Sequence, residues 1–159
     1  MGPVIRPARA GEAEGLTPLC VRSKAHWGYD AAFMQLSAAT LVVRAGDIAA
    51  GRVLVATDDA DTPVAVACVV PEGETADLDL LFVDPPAMGG GAGRALFAAS
   101  VELARRLGAR TLTILADPHA AAFYERVGAL FVRNAVSDAI PGRVLPLYEY
   151  DLTRSGSKP

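Results

Sequence analysis

The stretch Gly89-Gly90-Gly91-Ala92-Gly93 lies between an apolar strand pattern ending at Val83 and a helical pattern that begins beyond Arg94. Four glycines in five positions carry a high conformational-entropy cost, so they make sense where bare backbone must approach another group closely. The stretch opens directly into a helix, whose first N–H groups have no intrahelical partner and whose dipole favours negative charge. Together these features describe an anion site, most naturally for a phosphate or diphosphate. Arg94 can add a charge-assisted contact. The competing reading of this stretch alone is a flexible turn with no ligand.

The flanking periodicities place that turn in a mixed α/β domain. Val4-Ile5-Arg6 reads as a first strand ended by Pro7. Residues 10–25 look helical but interrupted by Gly11, Gly15 and Pro18, which predicts a short or bent element. Asp30 is placed to cap a second short helix through Met34 and Leu36. Three apolar segments follow, Arg52–Thr57, Val64–Val70 and Ala76–Val83. Tight turns at Asp58–Asp61 and Pro71–Glu74 join them, so they form an antiparallel meander. Leu96, Ala99, Leu103 and Leu107 recur at spacings of three and four, an amphipathic helix that Gly108 ends. Thr111–Leu115 is β-branched and apolar, and strand–helix–strand order makes it parallel to Ala76–Val83. A shorter helix spans Pro118–Val127, and Ala129–Val136 with Val144–Leu152 form a hairpin across Ile140–Arg143. One domain is expected over residues 1–153, with a frayed tail at 154–159.

Several function classes drop out on composition. A net charge of −3 and scattered arginines give no field for nucleic acid. No apolar run reaches the roughly 18 residues of a membrane helix, and Met1–Arg6 lacks a signal peptide's apolar region, so a cytoplasmic protein is expected. Cys20 and Cys68 are too far apart for a zinc knuckle or redox pair and read as buried thiols, and His26 and His119 make no metal-ligand set. No metal is therefore expected. Among phosphate binders, a P-loop is excluded because no Lys-Ser or Lys-Thr follows the glycines. A dinucleotide site beginning at Gly91-Ala92-Gly93, with Asp117 as the ribose acid, is the serious competitor. Against it, the third glycine position holds Leu96 and no second half completes the crevice.

At this point the chain resembles the GNAT (Gcn5-related N-acetyltransferase) superfamily, over essentially its whole length. The family signature Gln/Arg-x-x-Gly-x-Gly/Ala is matched by Met88–Gly93 at both small positions, with Met88 in place of Gln or Arg. Asp117-Pro118-His119-Ala120-Ala121-Ala122-Phe123-Tyr124, followed by Gly128, is similar to the family's Asn-x-x-Ala-x-x-x-Tyr, with Asp117 replacing Asn. The order of elements is similar too: antiparallel N-terminal meander, β-α-β parallel crossover, C-terminal hairpin. Ser23–Tyr29 and Arg143–Leu147 resemble a bacterial subgroup of unassigned substrate.

The resemblance implies acetyl-coenzyme A as co-substrate and an amine as acceptor. The two parallel strands would splay apart, and the pantetheine arm would pair with Leu81-Phe82-Val83. The diphosphate would rest on Met88, Gly89, Gly90, Gly91, Ala92, Gly93 and Arg94, with Asp117, Ala120 and Tyr124 completing the coenzyme site. Tyr124 matches the family's general acid, which would protonate the departing thiolate. Since an alkyl ammonium has a pKa near ~10, a base must first free the amine. Asp79 matches that position best, and Asp77 shares its face, with Leu78, Leu80 and Phe82 expected on the other; a water relay would serve as well. His26, Trp27 and Tyr29 form an aromatic cluster that could wall the acceptor with a cation–π contact. Arg143, Tyr148 and Tyr150 are further candidates at its border, and His119 reads as a surface residue. The family commonly dimerises, so a homodimer stays open. Two alternatives to the enzyme also stay open: a non-catalytic acyl-CoA-binding or sensing domain, and the dinucleotide-binding module.

Overall fold

The computed structural model describes residues 2–154. The expected frayed tail therefore lies, beyond Arg154, outside the described residues. Seven strands form one sheet in the order β1-β2-β3-β4-β5-β7-β6. They are β1 Val4–Pro7, β2 Val53–Thr57, β3 Pro63–Glu72, β4 Thr75–Val83, β5 Thr111–Leu115, β6 Leu130–Val136 and β7 Val144–Asp151. The meander is antiparallel, and β4 pairs with β5 in parallel. The hairpin folds so that β7 inserts next to β5 and β6 becomes the edge. With a single parallel pair in the sheet, the doubly wound crevice of a dinucleotide site is not built, which overturns that alternative.

Two apolar layers sandwich the sheet. On one face α4, Ala92–Arg106, buries Leu96, Phe97, Val101 and Leu103 against Leu54, Ala67, Leu78, Leu112 and Ile114. Ser100 sits in the same stripe and satisfies its hydroxyl by donating to Leu96 O at 2.8 Å. The expected stripe is shifted at its end: Leu107 is the C-cap, 39% exposed, because the helix closes at Arg106. On the other face α1, Ala13–Ala25, buries Leu16, Leu19 and Cys20 against Val53, Val55, Val66, Cys68 and Leu80. Both cysteines are buried free thiols, and withdrawal from water pushes each pKa up to about 12.

Two expectations need correction, and one segment carried none. Gly15 and Pro18 do not break α1, which runs unbroken for 13 residues. Pro18 removes one N–H in the second turn, and the buried face on either side of it holds the helix against the sheet. The segment before β2 contains a turn of 3₁₀ helix, Ala38–Leu41, and a short helix α3, Ala45–Ala49, both too brief to show a period. Finally, Leu78, Leu80 and Phe82 do not share a face. The register of β3 with β4 slips between Cys68 and Val69, so that Asp79 is an extra residue in β4. This bulge sends Leu78 into the α4 layer while Leu80 and Phe82 pack in the α1 layer. Asp30 does cap the second short helix, α2 Ala31–Ser37, by accepting from Phe33 N at 2.9 Å.

The contrast within α4 is testable. Leu96→Ala should lower the unfolding free energy in urea by about 2–5 kcal/mol. Leu107→Ala should change it by no more than about 0.5 kcal/mol.

Candidate active site

The site begins where β4 and β5 part. Their parallel pairing covers Thr75 with Thr111, Ala76 with Leu112 and Asp77 with Thr113, and stops there. Each strand continues, but with its other neighbour: Leu80–Val83 stay paired to β3, and Ile114 and Leu115 stay paired to β7. The hydrogen bond from Ala116 N to Pro146 O, 2.9 Å, draws the end of β5 further toward β7. Between the strands a cavity of about 700 Å³ opens. Its walls include Leu81, Phe82, Val83 and Asp79 from β4, and Ile114 and Leu115 from β5.

At one end the cavity reaches the glycine turn. Pro85–Ala87 form a short 3₁₀ turn, and the chain then reverses through Gly89 and Gly91 at φ +84° and +88°, conformations that side chains rarely adopt. Gly91 caps α4, and Ala95 N is the first helix donor, to Gly91 O. Among the described residues, the N–H groups of Gly91, Ala92, Gly93 and Arg94 have no acceptor. Gly93 packs so closely that an added Cβ would stand 3.4 Å from Val83 Cγ2 and 3.7 Å from the Phe123 ring. Met88 and Gly93 line the cavity, and Arg94 is exposed beside it.

Deeper in, Asp77 marks the last paired position. It accepts from Thr113 Oγ1 at 2.8 Å. Burial raises its pKa above the usual carboxylate range, the Thr113 hydroxyl opposes the rise, and the nearby Asp79 adds to it. Asp79, on the bulge, has no hydrogen-bond or ion-pair partner among the described residues. Its pKa is also raised, first by desolvation and then by Asp47 and Asp138 against the pull of Arg44. Tyr124 lies on α5, Ala121–Arg126, and is only 6% exposed. No hydrogen bond engages its hydroxyl, yet no fully buried side-chain oxygen lacks a partner among the described residues, so that hydroxyl opens onto the cavity it lines. Burial, with Asp77 nearby, raises its pKa.

The part of the wall around Trp27 is built differently from what the sequence suggests. Trp27 lines the cavity, 43% exposed, and stacks on His119 with centroids 4.8 Å apart. His26 packs edge-on against Trp27 and does not reach the cavity wall. Tyr29 stands behind that wall, stacked on Phe33 at 3.9 Å, and its ring is already covered by Lys24 and Arg143, each 5.3 Å from the centroid. A cation–π contact from Tyr29 to an acceptor is thus pre-empted by the chain's own cations. Arg143 lines the cavity, whereas Tyr148 is buried and donates to Glu125, and Tyr150 packs on Phe97.

Asp117 carries a network with no local signature in the sequence. Its carboxylate accepts from Lys24 Nζ at 2.6 Å, from the Tyr29 hydroxyl at 2.8 Å and from His119 N at 2.8 Å. Burial would raise its pKa, but these donors outweigh burial and hold the group well below the carboxylate range. Three donors thus hold the carboxylate in place, and Asp117 lines the cavity together with Ala120 on the same turn. Lys24 was missed from sequence because its partner lies 93 residues away and no spacing rule links them. Among the described residues no group of His, Cys, Asp or Glu is arranged to hold a metal, and no helix is long and apolar enough to cross a membrane.

Comparison with known proteins agrees with this geometry. The family model of the acetyltransferase (GNAT) domain matches residues 49–128. A GCN5-related N-acetyltransferase from Rhodopseudomonas palustris superposes with a TM-score of 0.74 at 24% identity, over 95% of this chain and 96% of that one. The PaiA N-acetyltransferase of Thermoplasma acidophilum, in complex with coenzyme A, gives 0.77 at 14% identity over 95% and 99%. YncA of Salmonella typhimurium, with its cofactor acetyl-CoA, gives 0.71 at 18% identity over 100% and 99%. Among proteins of curated description none matches the sequence.

The Lys24–Asp117 pair is nearly shielded from water, with side chains 13% and 14% exposed. Breaking it by Lys24→Met should cost about 3 kcal/mol of stability, read from urea unfolding. In a cycle with Asp117→Asn the coupling should be at least about 1.5 kcal/mol. Additive effects would show that the pair does not couple.

Proposed function

The chain belongs to the GNAT acetyltransferase family, and from that premise we propose that it transfers an acetyl group from acetyl-coenzyme A to a primary amine of a small molecule or peptide, by direct attack in a ternary complex. The carrying observation is the gap between β4 and β5, which runs from four unpartnered amides at the start of α4 to the free hydroxyl of Tyr124. The residues fit the co-substrate. Backbone N–H groups of Gly91, Ala92, Gly93 and Arg94 suit a diphosphate, aided by the helix dipole. Gly89 and Gly90 shape the turn, and Met88 supplies an apolar wall where a Gln or Arg contact is absent. The unpaired edge of β4 at Leu81, Phe82 and Val83 suits an amide-bearing arm, paired as an added strand would be. Ala120, being small, leaves the gap open. That two of the superposed enzymes hold coenzyme A or acetyl-CoA supports the same reading.

Acetyl-CoA supplies an activated thioester; the chain supplies position and proton movement. Tyr124 holds its phenolic proton through neutral pH, because burial raises its pKa. It can therefore donate that proton at Oη to a departing thiolate. Asp79 accepts the proton of the incoming ammonium, since its oxygens are free of hydrogen bonds, its side chain is open to solvent, and its raised pKa makes it a better base than an unshifted carboxylate. Asp77, tied to Thr113, lines the cavity beside it. A main-chain N–H on the open edge of β4 can donate to the carbonyl oxygen as charge develops there. Trp27 and Arg143 border the acceptor end, with His26 and Tyr29 supporting them from behind. The absence of a membrane-crossing helix among the described residues and the acidic chain fit action in the cytoplasm.

A panel of amines with a thiol-release readout tests the activity. Tyr124→Phe should lower kcat by about 10²-fold or more and leave the KM for acetyl-CoA nearly unchanged. Asp79→Asn should be inactive at neutral pH and regain activity at high pH, where the amine deprotonates unaided. In the parent protein the rate should rise with pH through a carboxylate pKa lifted above its usual range. Unchanged kcat in both variants would remove these roles.

A further inference from the structure

One carboxylate joins segments that are remote in the chain. Asp117 follows β5; Lys24 belongs to α1, Tyr29 to the loop after it, and Arg143 to the connection between β6 and β7. Lys24 Nζ and the Tyr29 hydroxyl donate to Asp117 at 2.6 and 2.8 Å. Arg143 Nη2 donates to Tyr29 Oη at 2.9 Å and stands 3.8 Å from Asp117 Oδ2. Its guanidinium also lies 4.8 Å over the Phe33 ring.

The connection 137–143 is braced within itself. Ser137 Oγ accepts from the N–H groups of Ala139 and Ile140, each at 3.1 Å, and Ser137 N donates to Arg143 O at 2.8 Å. Asp138, Ala139 and Ile140 wall the same cavity as Asp77 and Asp79. Among the described residues, the side-chain hydrogen bond that ties this connection to the rest of the chain comes from Arg143. A surface connection with so few outward ties opens at low free-energy cost unless it is pinned.

We propose that Asp117 is a positioning residue for the amine acceptor: acting through Lys24, Tyr29 and Arg143, it pins the connection 137–143 as a wall of the acceptor end of the cavity. The inference rests on the acetyl-transfer reading. A carboxylate would repel a diphosphate, and the oxygens of this one already accept from a lysine, a phenol and a backbone N–H, with the His119 ring nitrogen 2.9 Å away. Its effect is therefore exerted where Arg143 leads, at Asp138–Ile140. Pinning settles the ordering of that wall before the acceptor arrives, so the acceptor does not bear that cost on binding.

The test compares Asp117→Asn, Tyr29→Phe and Arg143→Met with the parent protein. The KM for the amine should rise about tenfold, with kcat within about twofold and the Kd for coenzyme A by calorimetry unchanged. Arg143→Lys should restore part of the loss. Hydrogen exchange should accelerate about tenfold or more at the amides of 137–143 and stay unchanged in α4. Should Asp117→Asn fold poorly, Tyr29→Phe and Arg143→Met leave the Lys24 pair intact and carry the test. A tenfold weaker Kd for coenzyme A with unaltered exchange at 137–143 would overturn the proposal and place Asp117 on the coenzyme side. If coenzyme A binds but no amine is acetylated, the acetyl-transfer reading fails, and the exchange measurement decides the pinning on its own.

Discussion

Two neighbouring strands cannot keep all of their backbone bonds when each is pulled toward its outer partner. β4 follows β3 to Val83, and β5 follows β7 through Leu115 and on to Ala116. Their shared pairing therefore lasts three residue pairs, with the Thr113–Asp77 hydrogen bond at the point of parting. The bulge at Asp79 falls just beyond that point and twists β4 away. The inner edges left behind carry unpaired N–H and C=O groups, which water or an extended ligand must satisfy. The cavity, the exposure of the Tyr124 hydroxyl and the approach to the glycine turn all depend on this parting.

Much of this was legible in the residues. The meander, the amphipathic helix and Thr111–Leu115 announced themselves through a period that changes from two to three and four. The glycine turn marked the start of α4 because no regular element tolerates four glycines in five positions. The bulge was not legible: Asp77-Leu78-Asp79-Leu80 alternates perfectly, and only the slip against Cys68 and Val69 shows that Leu78 and Leu80 face opposite layers. α1 was underestimated because Gly15 and Pro18 were weighed by intrinsic preference, whereas packing of Leu16, Leu19 and Cys20 decides the outcome.

The acceptor end was harder to read for a related reason. Aromatic residues close together in sequence suggested one wall, but Trp27 faces the cavity while Tyr29 turns inward to Asp117. What separates them is an ion pair between α1 and the end of β5, a long-range contact with no local signature. Within the family-like motif Asp117 replaces Asn. In the fold it is a change of partner, because a charged carboxylate can hold Lys24 where an amide could not do so with equal strength.

The central claim is that the gap between β4 and β5, together with the first amides of α4, receives coenzyme A. Backbone amide spectra recorded during titration with coenzyme A test it most directly. Shifts are expected at Gly91, Ala92, Gly93 and Arg94 and along Leu81–Val83, with the edge strand β6 unmoved. No shift at either segment, or the same shifts produced by NAD, would contradict it.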